Sequence, residues 1–65
     1  MKKTIRELFN EGWKIDKDQC PTEPTIAIVT VYNELDPLTK FLFIADTNCS
    51  LGTIRSDLMD YEVNL

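Results

Sequence analysis

The sequence predicts a small α+β domain, an antiparallel three-stranded sheet with two helices packed on one face, in the order α-β-β-β-α. Two runs rich in β-branched and aromatic residues, Thr25–Tyr32 and Phe41–Ala45, flank a polar segment that contains Asp36-Pro37. This pattern is typical of a β-hairpin. Apolar residues recur at helical spacing near both ends of the chain. The 65 residues have the length of one domain, spanning residues 1–65.

The first helix is predicted over Thr4–Asn10. Its apolar stripe consists of Ile5, Leu8 and Phe9. Thr4 and Glu7 have the spacing of a capping box, which satisfies main-chain N–H groups at a helix start. Gly12 lies where a left-handed residue commonly ends a helix.

The first strand is predicted over Trp13–Lys17, because apolar and polar residues alternate there. A loop containing two prolines, residues 18–24, follows it. The strongest strand pairing is then expected between Thr25–Asn33 and Lys40–Asp46, with the turn at Asp36-Pro37.

The second helix is predicted over Leu51–Asp60, since Leu51, Ile54, Leu58 and Tyr61 recur at helical spacing. The last residues, 62–65, are expected to form either a frayed tail or a short edge strand. The predicted core comprises Ile5, Leu8, Phe9, Ile54 and Leu58, with Trp13 nearby.

The first hairpin strand is apolar on both faces. One face carries Ile26, Ile28, Thr30 and Tyr32, and the other carries Ala27, Val29 and Val31. Two helices cover only one face of such a sheet. The other face is therefore expected either to be covered by the proline loop or the tail, or to form an exposed interaction patch with Leu42 and Ile44.

Several classes of function are not supported by the residues present. The chain has no histidine and no glycine-rich phosphate loop, so we expect no enzyme activity, no metal and no cofactor. The element order resembles that of double-stranded RNA-binding domains, but the last helix carries Arg55 against Asp57 and Asp60 in place of a lysine cluster. We therefore expect no nucleic-acid binding. No apolar stretch is long enough for a membrane span.

The charge distribution favours a protein partner with a basic surface. The net charge is −4, and residues 19–65 carry seven acids against two basic groups. Such a surface repels phosphates and attracts cations. Cys20 and Cys49 are expected to be free thiols, and the protein to be cytoplasmic.

We therefore expect a non-enzymatic protein-binding module. Small acidic chains without catalytic residues are common among phage and mobile-element inhibitors of host proteins. The alternative is a structural homodimer or scaffold subunit with no inhibitory role. The residues expected to contact the partner are Tyr32, Glu34, Asp36, Asp57, Asp60, Tyr61 and Glu62.

Overall fold

A computed structural model describes all 65 residues and confirms the α+β fold. The elements are β1 (Lys2–Thr4), α1 (Ile5–Asn10), β2 (Lys14–Gln19), β3 (Ile26–Asn33), β4 (Asp36–Asp46), α2 (Leu51–Leu58) and β5 (Glu62–Asn64). One antiparallel sheet has the order β2-β3-β4, and β1 pairs with β5 in a separate two-stranded sheet.

Helix α1 ends at Asn10 as predicted and begins at Ile5, one residue later than predicted, because Thr4 is its N-cap. Thr4 Oγ1 accepts from the Glu7 N–H at 3.3 Å, and Glu7 Oε1 accepts from the Thr4 N–H at 3.1 Å. At the other end Gly12 has φ +100°, and the Trp13 N–H donates to the Leu8 carbonyl at 3.0 Å. This left-handed glycine redirects the chain into β2.

The hairpin pairs as predicted, but its turn lies elsewhere. The turn consists of Glu34 and Leu35, and the prediction of a turn at Asp36-Pro37 is wrong. Asn33 Oδ1 accepts from the Leu35 N–H at 3.0 Å, so an asparagine side chain supports the tight turn. Pro37 lies inside β4, where the register shifts. An irregular edge strand is where a sheet tolerates proline.

The two ends of the chain pair with each other, which the sequence did not predict. Val63 of β5 lies opposite Lys3 of β1, so the C-terminal strand exists but does not join the three-stranded sheet. Helix α2 ends at Leu58, two residues before the predicted end. The Tyr61 carbonyl accepts from the Ile5 N–H at 2.9 Å, which connects the end of α2 to the start of α1.

The core lies between the helices and one face of the sheet. A buried cluster joins α1 to the sheet and to β5 through Ile5, Leu8, Val31 and Val63. Of the predicted core, Ile5, Leu8 and Ile54 are buried, whereas Phe9 and Leu58 are half-buried. Trp13 stacks on Phe41 with ring centroids 5.8 Å apart.

The buried residues of β3 are Ala27, Val29 and Val31, so the helices cover this face.

Candidate protein-interaction surface

The opposite face of the three-stranded sheet, which we call the open face, has no helix over it. Successive side chains alternate between the faces of a strand, and cross-strand partners share a face. The open face therefore comprises Lys14, Asp16, Asp18, Ile26, Ile28, Thr30, Tyr32, Lys40, Leu42, Ile44 and Asp46.

The centre of the open face is apolar and exposed. Leu42 is 62% exposed and Ile44 is 77% exposed. Their cross-strand partners in β3 are Thr30 and Ile28, which are half-buried. Neither the proline loop nor the C-terminal tail covers these side chains. Contiguous exposed apolar surface of this kind marks interaction sites in soluble proteins.

The charges of the open face are segregated along the strands. At the hairpin end Lys14 and Lys40 flank Tyr32, because both lie opposite it in the register. At the other end Asp18 lies beside Ile28, and Asp46 lies beside Ile26. The open face is therefore an apolar centre with a basic end and an acidic end, and Asp16, opposite Thr30, borders the centre on the β2 side.

The hairpin tip adds acids and apolar side chains beyond the basic end. Glu34 and Asp36 are exposed there, and Asp36 Oδ2 accepts from the Thr39 hydroxyl at 2.6 Å. Leu35 is 94% exposed. Because Tyr32 lies two residues before Glu34, the structure brings the predicted contact residues Tyr32, Glu34 and Asp36 to one end of the sheet.

The other predicted contact residues lie on the helix side of the sheet. The Tyr61 ring meets Phe43 of the covered face edge-on, with centroids 5.1 Å apart, and Asp60 pairs with Arg6 at 2.9 Å. The remaining two lie in α2 and β5, and they are Asp57 and Glu62. The seven residues therefore form two groups, and the expected single ring of acids around one patch is not present.

The predicted contact residues omit Leu42 and Ile44, the exposed apolar side chains of the open face, and the neighbouring Asp46. The alternation of β4 is the signal that points to them. Phe41 and Phe43 are the bulkiest apolar residues of that strand, and both face the core. The residues between and after them must then point outward.

Lys17 is a second feature that the sequence did not reveal. It faces the covered side of β2, and its Nζ donates to the carbonyls of Thr47 at 2.8 Å and Cys49 at 2.7 Å. These carbonyls precede α2, whose first turn is capped by Ser50 through the Thr53 N–H at 3.2 Å. One ammonium group thus ties β2 to the loop that starts the second helix.

Two shallow grooves run along the outer edge of β4 on the helix side. The first, of about 270 Å³, lies between Phe41–Phe43 and the segment Tyr61–Asn64. The second, of about 240 Å³, lies between Phe43–Asp46 and the side of α2. Both are lined mainly by apolar side chains.

Cys20 and Cys49 are free thiols, as predicted. The Thr22 hydroxyl lies 3.5 Å from Cys20 Sγ, and hydrogen bonding by the side chain and main chain of Thr22 lowers the pKa of this thiol below its ordinary value.

No group of three or more His, Cys, Asp or Glu side chains is placed to hold a metal ion. None of the helices has the length and apolar character needed to cross a membrane. No protein-family model, curated protein or solved structure matches the chain. The functional assignment therefore depends on the chain's own surfaces.

Proposed function

We propose that this chain is a non-enzymatic protein-binding module that docks its open face on a basic surface of a larger protein. The observation that carries the proposal is the exposure of Leu42 and Ile44 at the centre of a sheet face bordered by charges. An apolar centre with a polar rim is the usual anatomy of a protein interface.

The apolar centre would supply the driving force for binding. Covering a large apolar side chain contributes about 1.5–3 kcal/mol when the burial is complete. Leu42 and Ile44 retain most of their surface for such contact. Ile28 and Tyr32 are half-buried beside them, and they extend the apolar strip along β3.

The charges of this surface support a basic partner. Two lysines, Lys14 and Lys40, are outnumbered by the acids of the open face and the hairpin tip. These acids are Asp16, Asp18, Glu34, Asp36 and Asp46. Rim charges of one predominant sign speed the association with a surface of the opposite sign. By occupying such a surface the chain would inhibit its partner, in the manner of small phage proteins.

The proposal places this action in the cytoplasm, and the two free thiols, Cys20 and Cys49, support that compartment.

Affinity capture from the lysate of the source cells, with quantitative mass spectrometry, tests the proposal. The bait variant is Asp16→Lys combined with Ile28→Thr, which alters the rim and the centre but leaves β4 unchanged. The matched control is Asp60→Asn, which removes an exposed acid on the helix side. We expect one protein to be captured by wild type and control and lost with the double variant.

The captured protein is then purified and its association rate is measured over a salt series. Attraction between an acidic face and a basic surface requires this rate to fall as salt rises. Capture that survives the double variant, or an association rate that is independent of salt, would contradict the proposal.

A further inference from the structure

The outer edge of β4 is an unpaired strand edge. Strand β4 is the last strand of the sheet, so one of its edges has no neighbour. The Thr47 N–H donates to the Thr25 carbonyl at 3.1 Å, so the main-chain groups of Thr47, and of every second residue before it in β4, point towards β3. By the alternation of an antiparallel ladder, the main-chain groups of Lys40, Leu42, Ile44 and Asp46 point away from β3.

These outward main-chain groups find almost no partner inside the molecule. The Asp46 carbonyl accepts from the Cys49 N–H at 3.1 Å. Outside the ladder with β3, no other main-chain hydrogen bond reaches residues 40–46. An edge of this length that carries apolar side chains is a template for pairing with another strand.

The opposite edge of the sheet, formed by β2, has features by which soluble proteins prevent edge-to-edge pairing of strands. Strand β2 is short and carries charges on consecutive residues, and Lys17 points inward. Inward charges and short edge strands block edge-to-edge pairing. Strand β4 has no charge between Lys40 and Asp46, and Pro37 lies before the regularly paired segment.

The sequence of β4 is complementary to itself. From Lys40 to Asp46 it reads Lys-Phe-Leu-Phe-Ile-Ala-Asp, with Phe43 at the centre. An antiparallel pairing about a two-fold axis at Phe43 places Lys40 opposite Asp46 of the second copy, and Leu42 opposite Ile44. On the helix side it places the large Phe41 opposite the small Ala45. Opposite charges and apolar pairs directly across from one another stabilise an antiparallel sheet.

Neighbouring registers lack this complementarity. Outward-pointing residues must face outward-pointing residues, so the axis must fall on a residue, and the two registers next to Phe43 have it at Leu42 or Ile44. An axis at Leu42 sets Lys40 against an isoleucine, and an axis at Ile44 sets Asp46 against a leucine. Only the axis at Phe43 pairs charge with opposite charge.

We propose that a second copy of this chain adds its β4 antiparallel to this edge, about a two-fold axis at Phe43, to give a continuous six-stranded sheet. The two open faces then join into one surface, with Leu42 and Ile44 of both copies at its centre. The dimer uses the edge of the sheet, whereas the proposed partner binds its face, so the two proposals stand or fall separately.

A charge-swap experiment tests the register. Lys40→Glu and Asp46→Lys are prepared separately, and self-association is measured by sedimentation equilibrium into the millimolar range. Each variant sets like charges opposite each other at both ends of the paired segment. We expect the dimer dissociation constant of each to rise about tenfold. Mixing the two variants pairs opposite charges again, and a heterodimer of wild-type affinity should form.

The control for the charge swap is Lys14→Glu, which reverses the other lysine of the open face, on β2. It should leave the dimer dissociation constant unchanged.

A second pair of variants tests the main-chain contact without any change of side chain. Asp46 is kept in both, so the turn in which its Oδ1 accepts from the Asn48 N–H at 2.8 Å is not disturbed. Chemical synthesis introduces an N-methyl group at Ile44, whose N–H points out of the β4 edge. The matched control is N-methylation of Ile15, whose N–H points out of the β2 edge. Methylation at Ile44 should abolish the dimer, and methylation at Ile15 should preserve it.

A wild-type chain that is monomeric at millimolar concentration would overturn the dimer. So would a dimer that tolerates N-methylation of Ile44, or one that Lys14→Glu weakens as much as Lys40→Glu does. In each case the capture result with Asp16→Lys and Ile28→Thr still decides the proposed function, because neither substitution lies in β4.

Discussion

Replacing Lys17 by methionine should destabilise the domain by about 2 kcal/mol. The Lys17 ammonium donates to two carbonyls, those of Thr47 and Cys49, at 2.8 and 2.7 Å. Methionine retains the length and apolar stem of lysine but has no donor. The substitution therefore removes both hydrogen bonds and leaves the packing of the stem largely in place.

The magnitude follows from the type of bond and its surroundings. A hydrogen bond to a charged group contributes about 1.5–3 kcal/mol, so two such bonds set the upper limit. The bonds are only partly buried, and water can replace the lost donor at the exposed side. We therefore expect about 2 kcal/mol in total, which shifts the folded-to-unfolded ratio by about 30-fold.

Urea unfolding followed by the fluorescence of Trp13 measures this loss. Trp13 is the only tryptophan and stacks on Phe41, so its emission reports the folded core. The matched control is Lys14→Met, the same change on the same strand but on the open face, which should cost less than about 0.5 kcal/mol. All proteins are compared at one concentration, because self-association would add to apparent stability. Equal losses for the two variants would refute the argument.

Three further outcomes are expected. Leu58→Ala should cost about 1–2 kcal/mol, below the 2–5 kcal/mol typical of a fully buried leucine, because Leu58 is half-buried; urea unfolding measures it. Reversing the charges of Glu34 and Asp36 should slow association with a basic partner without lowering stability, as stopped-flow mixing and urea unfolding would show. Thr22→Val should raise the pKa of Cys20, and the pH midpoint of its alkylation should therefore move upward; an unchanged midpoint would contradict this.

Local patterns in the sequence were sufficient to place the helices and the three-stranded sheet. The capping box at Thr4 and Glu7 and the left-handed Gly12 are short-range signals, and both operate as expected. The β1–β5 pair could not be predicted, because it consists of two three-residue strands from opposite ends of the chain. Neither Lys2–Thr4 nor Glu62–Asn64 has a local strand pattern, and only their long-range pairing creates the strands.

The hairpin turn was misplaced because proline is a strong turn former. The side chain of Asn33 supports a turn at Glu34 and Leu35, a pair without glycine or proline. Pro37 is instead accommodated at an irregularity of the edge strand.

The candidate surface was only partly predictable, because both faces of β3 are apolar. The neighbouring strands β2 and β4 determine which face of β3 is covered. In the register, Phe41, Phe43 and Ile15 lie on the same face as the buried valines of β3. The apolar side chains of this face are together larger than those of the other face. Because Phe41 and Phe43 lie on the covered face, the alternating Leu42 and Ile44 must lie on the exposed face. The acids of α2 and β5 could not be assigned to a face from the sequence, because their position depends on how the second helix packs.

The different treatment of the two sheet edges supports the proposed pairing of β4 with a second copy. The same short chain places a lysine inward on β2, where the ammonium group also fastens the start of α2. It places no charge within the apolar run of β4, although a single lysine there would discourage edge pairing. Charges appear instead at the two ends of that run, as Lys40 and Asp46. In the proposed dimer these two charges would not block the second strand, and they would favour the one register in which each lies opposite its counter-charge.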